Sequence, residues 1–338
     1  MIYVRIKKII AVMLMAAMVG SVSGCSPKES EQEQPLSAEI FALDTVISLS
    51  IWGGSQEALD GAVALCYKYE KLLSKTIEGS DVHRMNNADG EYIQVSEDTA
   101  MLVRKSIEFS EASDGYFDIT ISPVKDLWDF KAENPAVPAR DTIDKELARV
   151  GYRNIEIEGN RIRMKSGAQI DLGAVAKGYI ADKIAEYLKA EGVEKAILNL
   201  GGNIVMVGEK EEGIPWTVGI KNPDGGQNEY IATVDVKDAS VVTSGVYERF
   251  FEVDSVIYHH LLDPFTGYPV QNKVKSVTIV SQSSLDGDIL STTCFVLGPE
   301  KGLQLIERLE DAEAVYIMED KSIIKSSGIE KYSFKMQE

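Results

Sequence analysis

From Ile170 to Asp182 the chain reads IDLGAVAKGYIAD, and this run constrains the fold more than any other. It packs a carboxylate, a turn made of Gly173 and Ala174, and Lys177 into the start of one helix. Small residues let a backbone approach a diphosphate, while a helix N-terminus and a lysine turn N–H groups and positive charge towards it. The competing reading is an Asp–Lys pair on a solvated helix face, which contributes only a few tenths of a kcal/mol. Gly173, Ala174, Ala176 and Gly178 favour the first reading, because a plain surface helix needs no such space.

The N-terminus addresses the compartment. Arg5, Lys7 and Lys8 precede an apolar stretch from Ile9 to Val19 and then Val22-Ser23-Gly24-Cys25, the layout of a lipoprotein signal peptide. An uncleaved anchor or an ordinary signal sequence is the alternative. The apolar run is short for a membrane span, however, and the small-residue box stops on a cysteine. Residues 1–24 are therefore expected to be removed and Cys25 lipidated. Residues 25–37 read as a polar tether, and residues 38–338 as a catalytic body held outside the cytoplasm by a lipid anchor in the membrane. The net charge is −18, and loss of the three signal cations makes it more acidic still. A body so charged repels nucleic acid and anionic headgroups, so no nucleic-acid partner is expected. Cys66 and Cys294 fall on the apolar sides of expected helices and read as buried thiols rather than a disulfide.

Coarse periodicity mixes both kinds of element. Ile47, Leu49 and Ile51 alternate with polar residues as in a half-buried strand, whereas Ala58, Ala62, Leu65, Tyr69 and Leu72 follow helical spacing. A second helix is expected from Glu97 to Ala112, a loop at Asn134–Ala139, and a hairpin turning at Gly159-Asn160. Ala196–Leu200 and Ile204–Val207 read as strands joined by Gly201-Gly202-Asn203, Val274–Val280 as another strand, and Asp288–Leu297 as a helix. Strands paired in hairpins with helices between them predict an α+β fold: hairpin-rich sheets with packed helices and a ligand cleft.

Five segments together resemble one family. Asp171-Leu-Gly-Ala-Val-Ala-Lys177-Gly-Tyr, Asn199-Leu-Gly-Gly-Asn203, Thr243-Ser-Gly-Val-Tyr247, His260-Leu-Leu-Asp263-Pro-Phe-Thr-Gly267 and Asp288-Ile-Leu-Ser-Thr292 are similar to the successive signatures of the ApbE family. The resemblance covers about Phe41 to Ile317. It implies a magnesium-dependent enzyme that takes FAD as substrate and moves FMN onto a threonine hydroxyl of an acceptor protein, releasing AMP. The acceptor it implies is an extracytoplasmic, membrane-associated redox protein. Two other functions use the same residues: a magnesium-dependent FAD pyrophosphatase admitting water in place of threonine, and an FAD-binding lipoprotein without chemistry.

Site residues follow from the same resemblance. Asp288 and Thr292, four apart on one helix face, and the backbone carbonyl of Ala174 match the family's metal ligands, hard oxygens of the kind magnesium prefers. For Asp288 the alternative is a carboxylate interacting with the N–H groups of a helix start. Asp171 and Lys177 match residues placed against FAD, and Lys177 can screen charge developing on the bridging phosphates. Leu43, Tyr116, Phe117, Asp118 and the backbone of Leu262 match positions along the flavin nucleotide; Phe117 as core and Asp118 as a turn-former remain open readings. His260 is the candidate to take the acceptor hydroxyl's proton, with Asp263 as the other choice. Strand alternation points His259 the opposite way. The chain departs from the family at Leu43-Asp44-Thr45, at Ser74-Lys75-Thr76, where an aromatic flavin contact is lost, and at Asn203.

Overall fold

A computed structural model describes residues 34–226 and 228–337. The signal segment, Cys25 and most of the tether lie outside these residues. Eight strands form the main sheet, and each lies beside its neighbour in sequence: β1 (Leu36–Ala42), β2 (Thr45–Trp52), β3 (Lys195–Leu200), β4 (Asn203–Val207), β5 (Ala239–Gly245), β6 (Val274–Ser281), β7 (Ala312–Met318) and β8 (Ile323–Lys325). Every pairing is antiparallel. The sheet is therefore one long meander into whose connections the helices are inserted. β1 opens at Leu36, opposite Ile51, so ordered pairing starts two residues inside the segment read as tether.

Alternation decides what each face covers. On β2, Ile47, Leu49 and Ile51 are fully buried and meet the apolar sides of α1 (Gln56–Leu73) and α4 (Ala176–Ala190), which supply Ala62, Cys66, Tyr69, Ile180, Ile184 and Leu188. Leu290, Cys294 and Phe295 of α5 (Ser284–Ile306) cover Val277 and Ile279 of β6. The opposite face, including Val241, Val280 and Ile317, packs on a three-stranded sheet carrying Trp216, Val218 and Val234. Each large aliphatic or aromatic chain so buried contributes about 1.5–3 kcal/mol. Cys66 and Cys294 are buried free thiols, as their placement on apolar helix sides predicted. Among the described residues no helix is long and apolar enough to cross a membrane.

Two elements differ from expectation. Asp118-Ile-Thr120, which reads in the sequence as a loop between helix and strand, leads from α2 (Glu97–Ala112) into a short helix, α3 (Ser122–Trp128). Pro123 in its first turn suits a helix start, and Ile121 makes only an isolated bridge to Gln169. The helix expected from Asp288 begins four residues earlier, because Ser283 caps it by accepting the Asp286 N–H at 3.2 Å. Its expected end at Leu297 coincides with a break, where Gly298 has φ 75° and Pro299 follows.

Candidate active site

α4 and α5 hold the centre of the site by capping each other. The residue before α4, Val175, offers no side-chain cap, and the Gly178 N–H instead donates to Asp288 Oδ2 at 2.9 Å. In return Asp182 of α4 accepts from the Ser284 and Leu285 N–H groups, at 2.8 and 3.0 Å, and from Ser283 Oγ at 3.0 Å. Burial raises the Asp182 carboxyl above its usual range, and these N–H groups oppose that shift. Asp182 had no definite role in the sequence; here it fixes the start of α5.

Gly178 makes the approach possible. A Cβ there would lie 2.2 Å from the Ser284 carbonyl oxygen and 2.8 Å from Asp288 Cβ. Backbone cannot yield as a flexible side chain would, so Gly178→Ala is expected to push α4 from α5. Overpacking of this kind costs about 1–3 kcal/mol. Urea unfolding should show that loss together with weakened FAD binding; unchanged stability and binding would refute the close approach.

Asp288 is 3% exposed and sits on the second turn of α5, away from the helix start where a plain dipole-stabilising carboxylate belongs. Its Oδ1 is 3.3 Å from Lys177 Nζ, and the same ammonium donates to the Gly173 carbonyl at 3.3 Å. A cation thus already bridges the α5 carboxylate and the turn that carries Ala174. One turn on, Thr292 is half-buried, with its hydroxyl 3.5 Å from Ser244 Oγ. This set of carboxylate, hydroxyl and turn carbonyls is made of hard oxygens and fits magnesium. Among the described residues no three His, Cys, Asp or Glu side chains cluster at metal-binding range. A cation here would have to draw on Asp288 together with hydroxyl, carbonyl and ligand oxygens.

Asp171 lies before the same turn and accepts from the Gly173 N–H at 2.8 Å and from Lys125 Nζ of α3 at 2.8 Å, with Lys75 Nζ 3.7 Å away. Burial opposes its ionisation, but the two ammoniums prevail and hold the carboxyl well below the ordinary carboxylate range. Lys75 also bonds Asp126 and, at 3.1 Å, Ser122 Oγ. The segment that lost an aromatic flavin contact thus carries, one position before Thr76, a cation tied to the turn. Sequence reading missed Lys125 altogether, since nothing in its spacing links it to residue 171.

The FAD-facing segment around Tyr116 is partly absorbed by the fold. Phe117 is 3% exposed and belongs to the main core. Asp118 Oδ1 accepts from the Thr120 N–H and hydroxyl at 2.8 and 2.6 Å, and Oδ2 from the Tyr152 N–H at 2.8 Å. Its carboxylate is therefore spent on a turn, the reading left open beside ligand binding. Tyr116 remains half-buried, edge-on to Phe265 at 5.0 Å.

Leu43 and Asp44 form the two-residue turn between β1 and β2, both at positive φ (54° and 64°), as a type I′ turn requires. Leucine in this region is strained by about 1–3 kcal/mol. The Leu43 N–H is held by Glu70 Oε1 at 2.7 Å, and Asp44 pairs with Lys131 and with Arg249 Nη2, the latter at 2.9 Å. Asp44, within the segment that departs from the family pattern, is thus a clamp joining three segments.

His259 and His260 diverge as alternation predicted. His259 is buried, with Nε2 3.0 Å from the Val270 carbonyl. The His260 side chain is 18% exposed, its backbone N–H donates to the Arg249 carbonyl at 3.1 Å, and its Nδ1 is buried without a hydrogen-bond partner among the described residues. Burial, then the positive charges of Lys125 and Arg249, push its imidazole down to about 3, so it is neutral at physiological pH. Asp263 Oδ1 accepts from the Phe265 N–H at 2.7 Å and serves a turn. Leu262 is packed with Trp128 and Phe251, and Trp128 anchors the loop by donating Nε1–H to the Gly267 carbonyl at 2.8 Å. Glu248 and Arg249, directly after the Thr243–Tyr247 segment, are the functional candidates the sequence reading passed over.

Three comparisons bear on this arrangement. The sequence model of the ApbE family matches residues 43–316. A FAD:protein FMN transferase of Klebsiella pneumoniae (strain 342) is 36% identical over 285 residues, covering 83% of this chain and 88% of that protein. One of Treponema pallidum (strain Nichols) is 36% identical over 289 residues, 80% of each. Among solved structures, the ApbE protein of Thermotoga maritima superposes with a TM-score of 0.82 at 32% identity, covering 90% of this chain and 100% of that one. The flavinyl transferase ApbE of Pseudomonas stutzeri gives 0.79 at 29% identity, covering 89% and 97%.

Proposed function

The chain belongs to the ApbE family, and from that premise we propose how its cleft does the work. It transfers FMN from FAD to an acceptor protein. The acceptor atom is a threonine oxygen. It forms a bond to the phosphorus that carries FMN as the bond from that phosphorus to the bridging oxygen breaks; AMP leaves with the bridging oxygen, and the hydroxyl proton passes to a base in the cleft.

The observation that carries this reading is the Asp288–Lys177 pair, which closes α5 onto the start of α4 beside the Gly173 carbonyl. Asp288, Thr292 and the Ala174 carbonyl are the residues that would hold Mg2+. When bound it supplies positive charge against the diphosphate. Lys177 adds a second positive charge at the bridging oxygen, where negative charge grows as AMP departs. Asp171, tied to Lys125 and Lys75, keeps the small-residue turn in place and balances two cations facing an anionic ligand. Leu43, Tyr116 and the backbone of Leu262 border the flavin nucleotide, and His260 meets the acceptor hydroxyl.

The acceptor is an extracytoplasmic, membrane-associated redox protein, and the chain works beside it as a lipoprotein anchored through Cys25. The basic and apolar N-terminal segment ending on that cysteine supports this placement. Residues 34–338, which keep all of β1, incubated with FAD, Mg2+ and a candidate acceptor should add the mass of FMN to the acceptor and release an equal amount of AMP. Free FMN with unmodified acceptor would establish hydrolysis instead, and intact FAD would establish storage.

A further inference from the structure

Most acids around this cleft are already engaged. Asp44 pairs with Lys131 and Arg249, Asp118 holds its own turn, Asp171 binds Lys125, Asp182 caps α5, and Asp288 binds Gly178 and Lys177. Glu248 is different: among the described residues no hydrogen bond engages its carboxylate. About a third of the side chain is open to solvent, and Oε2 lies 4.0 Å from His260 Nε2. Its segment is fixed, because the Glu248 N–H meets the Gly245 carbonyl at 3.4 Å and the His260 N–H meets the Arg249 carbonyl.

A gap of 4.0 Å is too long for a direct hydrogen bond, and it suits a single oxygen that bonds to both atoms at ordinary distances of about 2.8 Å. A hydroxyl placed there has one proton to give and lone pairs to accept with. We propose that Glu248 is the general base of the transfer: the acceptor hydroxyl donates its proton to Glu248 Oε2 while accepting a hydrogen bond from His260 Nε2–H. This rests on the transferase reading above and assigns His260 the task of orienting the hydroxyl. As the oxygen–phosphorus bond forms, the O–H bond breaks and its proton stays on Glu248. The broken phosphorus–oxygen bond leaves its electron pair on AMP.

Protonation states agree with that division. Desolvation by the cleft raises Glu248 to about 7; Lys177 and Arg249 oppose the rise and Asp288 adds to it. The neutral imidazole, held down first by burial and then by Lys125, Arg249 and His259, is a poor base and an adequate donor. A base poised near the working pH is the more effective one.

The deciding experiment measures transfer against pH for the wild type, Glu248→Gln, Glu248→Asp and His260→Asn, with FAD affinity and Mg2+ dependence measured alongside. In the wild type kcat should climb as pH rises through about 7, because only the ionised carboxylate accepts the proton. Glu248→Gln should lose about 10²-fold or more in kcat and lose that climb, with FAD affinity, Mg2+ dependence and melting temperature unchanged. Glu248→Asp should keep the climb at reduced rate, as should His260→Asn. A climb retained in Glu248→Gln, or kcat within threefold of wild type, overturns the assignment. So does loss of fold, of FAD binding or of Mg2+ response in step with kcat, since each assigns Glu248 a structural or metal-binding role. Failure of the wild type to modify any acceptor would instead sink the transferase reading.

Discussion

Asp288→Ala is expected to lower FMN transfer by about three orders of magnitude, the scale on which removing a charge-stabilising group acts on an acyl or phosphoryl transfer. Three losses coincide. The one side-chain carboxylate assigned to the cation disappears, the Gly178 N–H loses its acceptor, and Lys177 loses its counter-charge. An N–H left buried and unpaired costs about 1–3 kcal/mol, so some stability should go as well. Asp288→Asn separates the effects, because its carbonyl oxygen still accepts from Gly178 while the charge is gone. It should fold normally yet need far more Mg2+ for any residual turnover. Turnover against Mg2+ concentration checks this, and an unchanged Mg2+ response in the asparagine variant would remove Asp288 from the cation site.

His260→Ala is expected to cost about 10²- to 10³-fold in transfer while leaving FAD binding intact, because the imidazole faces the acceptor hydroxyl rather than the nucleotide. Stability should change little: the His260 N–H to the Arg249 carbonyl is a backbone bond and survives the substitution, whereas buried His259 carries the packing. Flavin fluorescence titration and acceptor mass together check the split. Wild-type turnover in the variant, or loss of FAD binding equal to the loss of turnover, would remove the assignment.

The sequence disclosed those parts of the fold whose signal is local. Alternation at Ile47, Leu49 and Ile51, helical spacing after Ser55, and small residues at Gly173, Ala174 and Gly178 each follow from periods or steric needs that a short window contains. The α+β class and the burial of the Cys66 and Cys294 thiols were legible in this way, whereas the meeting of the Asp288 helix with the Ala174 turn was expected only from the resemblance to the family. What stayed hidden depends on distant partners. Asp118 and Phe117 look the same in sequence whether they face a ligand or the Tyr152 loop and the core; only Thr120 and Tyr152 decide it. Lys125 joins Asp171 across 46 positions, and Glu248 becomes distinctive only because most carboxylates around it, Asp44, Asp118, Asp171, Asp182 and Asp288 among them, are engaged. The start of α5 was misplaced because Asp288 looks like a helix-start acid, whereas Ser283 and the remote Asp182 provide the caps.

The account stands on one placement, a divalent cation and the FAD diphosphate seated between α5 and the Ala174 turn. Crystals of residues 34–338 grown with FAD and Mn2+, read by the anomalous signal of manganese, test it directly. The expected result is one peak at coordination distance from the Asp288 carboxylate, Thr292 Oγ1 and the Ala174 carbonyl, touching the diphosphate beside Lys177. A peak elsewhere, or a diphosphate bound away from the start of α4, would contradict it.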